Sequence, residues 1–155
     1  MSRRSVIKKR YPKPDSNYNS CLVSLLTARI LKSGKKSLAD SIILETFALI
    51  QEKTNLDPLQ VFEKAIQNIT PLVEVKARRI GGSTYQVPLE VSRYRGTNLA
   101  LRWLIAAAKA RAGRTISIKL ASEIIDASNN VGNAMRKREE THRMAEANKA
   151  FAYFR

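Results

Sequence analysis

The sequence predicts a mainly α-helical single domain: six helices, a protruding two-stranded β-hairpin and an extended basic N-terminal arm. Three observations carry this. Apolar residues recur at helical spacing along most of residues 19–150. The period drops to two only across 73–91, around Gly81-Gly82. Residues 1–14 hold six bases and no acid, and show no apolar periodicity. The chain has 155 residues, 44% of them hydrophobic, enough for one domain (1–155) with a core of its own.

The arm is expected over 1–18. Within it, Tyr11-Pro12-Lys13-Pro14-Asp15 contains two prolines, each biasing its predecessor toward extended backbone. A solvated tail and a segment that orders on phosphates are the competing readings. A first helix starts near Asn19, with Leu22, Leu25, Leu26 and Ile30 on one face, and ends near Gly34. A second, about 36–53, turns Leu38, Ile42, Ile43, Phe47 and Ile50 inward and Asp40, Glu45 and Glu52 outward. The third begins at Asp57-Pro58-Leu59-Gln60, where Asp caps, Pro fits the first helical position and Gln resembles a capping box. Leu59, Phe62, Ile66 and Ile69 then run to Pro71.

The hairpin, 72–91, is inserted between helices three and four. Val73, Val75 and Ala77 alternate with charged residues, and Tyr85, Val87, Leu89 and Val91 resume the alternation after Gly81-Gly82. Strands of about seven residues give a finger roughly 23 Å long, marginal in isolation. Pro88 requires an unpaired strand edge. A fourth helix is expected over 97–111, with Leu99, Trp103, Ala106 and Ala110 on one stripe. A fifth, 115–129, turns Ile116, Leu120, Ile124 and Ala127 inward. A sixth, 133–150, is rich in charge and poor in large apolar residues, so it is expected to lean on a partner.

Composition excludes several function classes. The longest apolar stretch, Trp103-Leu104-Ile105-Ala106-Ala107-Ala108, is far short of the roughly 18 residues of a membrane span. One cysteine, Cys21, and one histidine, His142, allow no intrachain disulfide and no Cys/His zinc site. No metal, cofactor, small-molecule substrate or catalytic set is expected. The N-terminus lacks the apolar segment of a secretory signal, so the chain is read as intracellular. Gly34-Lys35-Lys36-Ser37 resembles a phosphate-loop tail, but position 29 is Arg where that motif needs Gly.

With 28 bases against 13 acids the net charge is +15, which points to a polyanionic partner. The signs are segregated. Residues 1–14 carry +6, residues 37–74 carry −4, and residues 76–119 carry +9, ten bases against Glu90 alone. Basic residues of the later helices, Arg95, Arg102, Arg111, Arg114, Lys119, Arg136, Lys137, Arg138 and Arg143, are candidates to neutralise phosphates. Lys76, Arg78, Arg79 and Tyr85 lie near the hairpin tip. Tyr11, Tyr85 and Tyr94 are candidates to stack on unpaired bases, whereas Trp103 fits core packing better.

Two blocks carry a resemblance. The hairpin Val73-Glu74-Val75-Lys76-Ala77-Arg78-Arg79-Ile80-Gly81-Gly82-Ser83-Thr84-Tyr85-Gln86-Val87-Pro88 is one, and Lys137 to Phe151 is the other. With Met1-Ser2-Arg3-Arg4 and Gly34-Lys35-Lys36-Ser37, they closely resemble the family of ribosomal protein seven of the bacterial-type small subunit. The resemblance spans the whole chain and implies a six-helix protein with a hairpin arm. It implies binding to the 3′ major domain of small-subunit ribosomal RNA, nucleation of head assembly beside neighbouring head proteins, and a position near exit-site tRNA and the mRNA exit channel. Position by position, Arg3, Arg4 and Arg10 match the RNA-binding arm, and Lys35 and Lys36 the basic loop between the first two helices. Lys76, Arg78 and Arg79 match the hairpin that approaches tRNA and mRNA. Arg95 and Arg102 match the start of the fourth helix, and Arg143 the last helix.

Segment 92–96, Ser-Arg-Tyr-Arg-Gly, departs from the proline- and arginine-richer version of many bacteria. The end Ala152-Tyr153-Phe154-Arg155, with Asp15 to Ser20, resembles the cyanobacterial and plastid branch, which implies the chloroplast stroma before the bacterial cytoplasm. A DNA-architectural protein or a general RNA-binding chaperone is the alternative to a structural ribosomal role. An RNA-modifying enzyme is a further one, disfavoured for want of a catalytic set.

Overall fold

The computed structural model describes residues 12–154, apart from the side chains of Ile80 and Phe154. Among these residues the chain runs α1 (Cys21–Ile30), α2 (Lys36–Thr54), α3 (Pro58–Ile69), β1 (Val73–Ile80), β2 (Ser83–Glu90), α4 (Arg93–Ala110), α5 (Ile116–Ser128), α6 (Asn133–Ala147) and a closing 3-10 turn (Lys149–Phe154). The expected mainly helical architecture with one hairpin is the observed one.

α5 is the hub, touching α2, α3, α4 and α6. Its Leu120, Ala121, Ile124 and Ala127 are buried among Phe47 and Ile50 of α2, Phe62 and Ile69 of α3, and Leu101 and Leu104 of α4. Alanines at 65, 100, 108, 121 and 127 let the helices approach closely, and each is fully or nearly fully buried. The rings of Phe47 and Phe62 lie 5.7 Å apart, and Tyr18 meets Phe47 edge-on at 4.8 Å.

That last contact changes the end of the arm. Asp15 Oδ2 accepts from the N–H groups of Asn17 (3.0 Å) and Tyr18 (3.3 Å), so the chain turns at Asp15–Tyr18 and lays Tyr18 on the core. Residues 1–11, with the proposed contacts Arg3, Arg4 and Arg10 and the aromatic Tyr11, lie outside the described residues.

Local chemistry explains most element boundaries. Asp57 Oδ1 caps α3 by accepting from Leu59 N at 3.1 Å, with Pro58 at the first helical position. Thr115 Oγ1 caps α5 by accepting from Ile118 N. The hairpin turn is the two residues Gly81 and Gly82, with φ of +56° and +91°, between Ile80 and its partner Ser83. Both central residues at positive φ match a tight turn that follows strand twist, and glycine adopts that backbone without strain.

Three expectations need correction. α4 starts at Arg93, four residues before the expected 97, and takes Gly96 into its first turn. A Cβ at Gly96 would lie 2.9 Å from Thr70 Cγ2 and 3.4 Å from Pro71 O, so glycine lets the first turn of α4 abut the α3–β1 junction. The α4 stripe is also rotated. Ala100, Leu101, Leu104, Ile105 and Ala108 face inward, Leu99 and Trp103 lie at the rim, and Ala106 and Ala110 are exposed. Leu38 is 56% exposed, and its neighbour Ala39 takes the inward position on α2.

The hairpin is also less isolated than a free finger. α6 packs against both strands, and β2 lies on the closing turn, where Tyr85 meets Phe151 at 5.0 Å between ring centroids. The partner that the polar α6 needs is therefore, in part, the base of the hairpin. Pro88 opposes Val75 in a sheet of only two strands, which leaves β2 the unpaired side Pro88 requires, yet its ring is buried.

Candidate nucleic-acid interface

The basic surface begins where α1 meets α4. Arg29, in the last turn of α1, is half-buried and donates from Nη2 to Asn98 Oδ1 at 2.5 Å. Its Nε is buried without a hydrogen-bond partner among the described residues. Burial, and next the charge of Arg102, lower the Arg29 guanidinium from its ordinary value, with Tyr94 opposing. A half-buried cation facing a second cation marks a site of positive potential, in which a phosphate would relieve the repulsion.

Arg102 continues as part of a row. Arg95, Arg102 and Lys109 are exposed and repeat every seven residues along α4, roughly 10.5 Å per step. Arg95 is engaged at its base, donating from Nε to both oxygens of Glu74 at 2.7 and 2.9 Å, while its side chain stays 59% exposed. Lys109 and Arg29 were absent from the sequence-derived site. The rim position of Trp103 beside this row agrees with core packing.

Arg111 belongs elsewhere. Its Nε donates to the carboxylate of Glu123 and its Nη2 to that of Asp126. Burial acts to lower its pKa, but hydrogen bonds to Asp126 and Glu123 raise it on balance. Its charge is thus neutralised inside the fold. Arg114 is exposed in the α4–α5 loop, and the stem of Lys119 lies along Gly113, whose Cβ would meet Lys119 Cγ at 3.1 Å.

α6 divides its cations by face. Arg136 and Arg143, seven residues apart, are exposed and line one groove with Asn133, Lys137, Glu139 and Glu140. Lys137 Nζ is paired to Glu140 at 2.7 Å, with both side chains about half exposed. Arg138 faces inward, donating from Nη1 to the backbone oxygen of Asn68. His142 lies on that inner side too. Its Nε2 accepts the N–H of Leu72 at 3.2 Å, a structural role that the sequence did not signal.

The hairpin splits its basic set. Register pairs Lys76 with Val87, Arg78 with Tyr85 and Arg79 with Thr84, so Lys76 and Arg78 share one face and Arg79 occupies the other. All three are exposed. Tyr85 packs on Phe151, and Tyr94 is half-buried beside Arg29, so neither is a free stacking platform.

Lys35 and Lys36 are exposed at the start of α2, Lys35 as its N-cap residue. Cations there oppose the helix dipole, as do Arg93 and Arg95 in the first turn of α4. No helix among the described residues carries an acid in its first turn. Acids cluster instead on α2 and α3, where Glu45, Glu52 and Glu63 are exposed. The surface therefore has the makings of a phosphate-binding face: exposed cations on rigid helices with few acids among them. Among the described residues, no cluster of three His, Cys, Asp or Glu side chains is placed to hold a metal, and no helix is long and apolar enough to cross a membrane.

Comparison with known proteins fits this surface. Residues 2–149 match the family "Ribosomal protein S7p/S5e". "Small ribosomal subunit protein uS7" of Arthrospira platensis is 61% identical over all of this chain and 99% of its own length. The protein of the same name from Synechocystis sp. is 63% identical over the same shares. "Small ribosomal subunit protein uS7c" of Trieres chinensis is 65% identical over 93% of this chain and 91% of its own. A basic helical domain with one hairpin and a match along nearly its whole length leaves one assignment: the chain belongs to the S7p/S5e family of ribosomal proteins, a structural, non-enzymatic family.

Proposed function

We propose that this chain is a structural constituent of the small ribosomal subunit that binds the 3′ major domain of its RNA, nucleates assembly of the head beside neighbouring head proteins, and lies near exit-site tRNA and the mRNA exit channel. The observation that carries the reading is the exposed cation row Arg95, Arg102 and Lys109 on α4, flanked by Arg29, in a chain matched along its length to uS7 proteins. Lysines and arginines set against helix dipoles cost stability on their own, and phosphates reverse that sign.

Binding is electrostatic clamping. Lys35, Lys36, Arg95, Arg102, Arg114, Lys119, Arg136, Lys137 and Arg143 neutralise backbone phosphates of several RNA helices, joined by the arm residues Arg3, Arg4 and Arg10. Arg111 and Arg138 support the fold beneath them. Lys76, Arg78 and Arg79 reach the tRNA and mRNA path from two faces of the hairpin.

The test is affinity for an isolated 3′ major domain fragment against duplex DNA and unrelated structured RNA, across a salt series. Selective binding that survives physiological salt, with a steep salt slope, is expected. Equal affinity for all three, lost together with salt, would leave a general polyanion binder. For the hairpin, subunits reconstituted with R78A/R79A should show altered protection of exit-site tRNA and mRNA; unchanged footprints sink that role. Similarity to cyanobacterial uS7 proteins and to a uS7c protein supports a chloroplast ribosome, with the bacterial cytoplasm as the alternative. Hybridisation of the coding sequence to plastid DNA or to a bacterial chromosome separates the two.

A further inference from the structure

α6 begins without a cap of its own. Its N-cap residue is Gly132, which has no side chain to offer, and its first turn contains no acid. Four N–H groups at a helix start need partners, and here one comes from another helix. Glu123, in the middle of α5, is 0% exposed, and its Oε1 accepts from Ala134 N at 2.9 Å. Its other oxygen takes the Nε of Arg111, the C-cap residue of α4. Asp126, one turn along α5, takes Nη2 of the same guanidinium.

The carboxylate thus joins three helices at one point. It sits at the positive end of the α6 dipole and is compensated by a guanidinium, so its charge is tolerated in full burial. Gly132 is part of the same device. Its φ is +106°, and a Cβ there would lie 2.9 Å from Glu123 Oε1 and 3.4 Å from Asp126 Cβ. Any side chain at 132 would push the carboxylate off Ala134.

We infer that Glu123 is a positioning residue for RNA binding: by capping α6 from α5 and anchoring on Arg111, it fixes the placement of Arg136 and Arg143 relative to the α4 row. The inference rests on the RNA-binding reading above. It differs from plain stabilisation, because the effect on RNA passes through those two cations. Arg136 lies two residues past the capped N–H, in the first turn of α6, and Arg143 about two turns further along the same side.

The experiment uses the full chain and the 3′ major domain RNA fragment, with Glu123→Gln, Arg136→Ala/Arg143→Ala and the triple variant. Glutamine keeps shape and an acceptor but removes the charge that holds Arg111 and the dipole. Amide exchange at Ala134 should accelerate about fivefold or more while amides of α2 and α3 keep their protection. RNA affinity should fall about threefold or more in E123Q, and not at all further when the substitution is added to R136A/R143A. An equal fall in both backgrounds would overturn the inference, since the residue would then act by general destabilisation. Unchanged exchange at Ala134 would overturn it also. Should E123Q fail to fold, G132A perturbs the same cap with the carboxylate retained and is read by the same two criteria. If the wild type shows no preference for the fragment, the RNA-binding reading fails and the RNA role of Glu123 falls with it, while exchange at Ala134 still decides the capping.

Discussion

Leu72 donates its backbone N–H to Nε2 of His142 at 3.2 Å, which ties the entry of the β-hairpin to the inner side of α6. The acceptor role requires a neutral imidazole whose proton is on Nδ1, since a protonated ring has two donors and no acceptor. Burial, and next the charge of Arg138, lower the His142 pKa from its ordinary value of 6.5. Glu146 and Lys149 line the groove on the α6 and closing-turn side, and Leu72, Val73, Pro88 and Leu89 line it from the hairpin.

This makes hairpin docking pH-dependent in one direction. With the native pKa below the unfolded one, the unfolded chain binds more protons between the two values, so stability rises with pH through that window. The contribution is complete above about 6.5 and is lost as pH falls toward the lower native value. Thermal melts of wild type and His142→Gln, taken from about pH 7.5 to about pH 5, should diverge, with the wild type losing more on the acid side. Glutamine retains an acceptor but does not titrate. Parallel curves would remove His142 from the linkage.

Gly96 yields a second expectation. Alanine is the better helix former by about 1 kcal/mol, but its Cβ would stand 2.9 Å from Thr70 Cγ2 and 3.4 Å from a backbone oxygen. Thr70 cannot easily turn away, since its Oγ1 donates to Ile66 O at 2.6 Å. Overpacking costs typically about 1–3 kcal/mol, so the clash outweighs the propensity gain. Urea unfolding of Gly96→Ala should show a net loss near 1 kcal/mol, and a gain would mean that the α3–β1 junction yields freely.

Leu38 and Ile43 show where pattern reading succeeds and where it slips. Both fit an inward stripe on α2, yet Leu38 is 56% exposed and Ile43 only 3%. In the first turn of α2 the inward position is taken by Ala39, 2% exposed, beside Leu38, and no periodicity in one chain reports which of two adjacent apolar residues meets a neighbour. Leu38→Ala should change stability by no more than about 0.5 kcal/mol, whereas Ile43→Ala should cost about 2–5 kcal/mol by guanidinium unfolding. On α4 the difficulty is different. The run 103–108 is apolar on every side, so a stripe one residue out of phase, about 100° around the helix, fits the sequence equally well. The hairpin was legible as a pair of strands turning at Gly81-Gly82, because that dipeptide marks the turn and the alternation on either side marks the strands. Their full length of eight residues each and their pairing came from the structure.

The candidate site was legible as charge and not as geometry. Counting bases finds Arg102 and Arg111 alike, because the acids that neutralise Arg111 lie 12 and 15 residues further on, in another helix. His142 and Glu123 were likewise invisible, since their partners, Leu72 N and Ala134 N, are backbone groups that every sequence carries. Arg29 gains its meaning only from α1 meeting α4.

Arg102 and Arg111 therefore give the sharpest contrast to measure. Arg102 is exposed, with its charge turned to solvent beside Arg29, while Arg111 bonds to Glu123 and Asp126. Arg102→Ala should leave the melting temperature nearly unchanged and lower the slope of log affinity against log salt by about one, the signature of one lost phosphate contact. Arg111→Ala should unfold more easily, and in the R136A/R143A background, where its support of those two cations no longer counts, it should leave the slope unchanged. It strands the fully buried Glu123 without its cation, and breaking such a pair typically costs about 3–5 kcal/mol. Asp126 is 41% exposed and needs no such compensation, so the penalty centres on Glu123. Replacing both partners, Arg111→Met with Glu123→Leu, should recover part of that loss, because no buried charge is then left alone. Should Arg111→Ala instead reduce the salt slope with stability intact, its guanidinium would be a phosphate ligand and the internal network secondary.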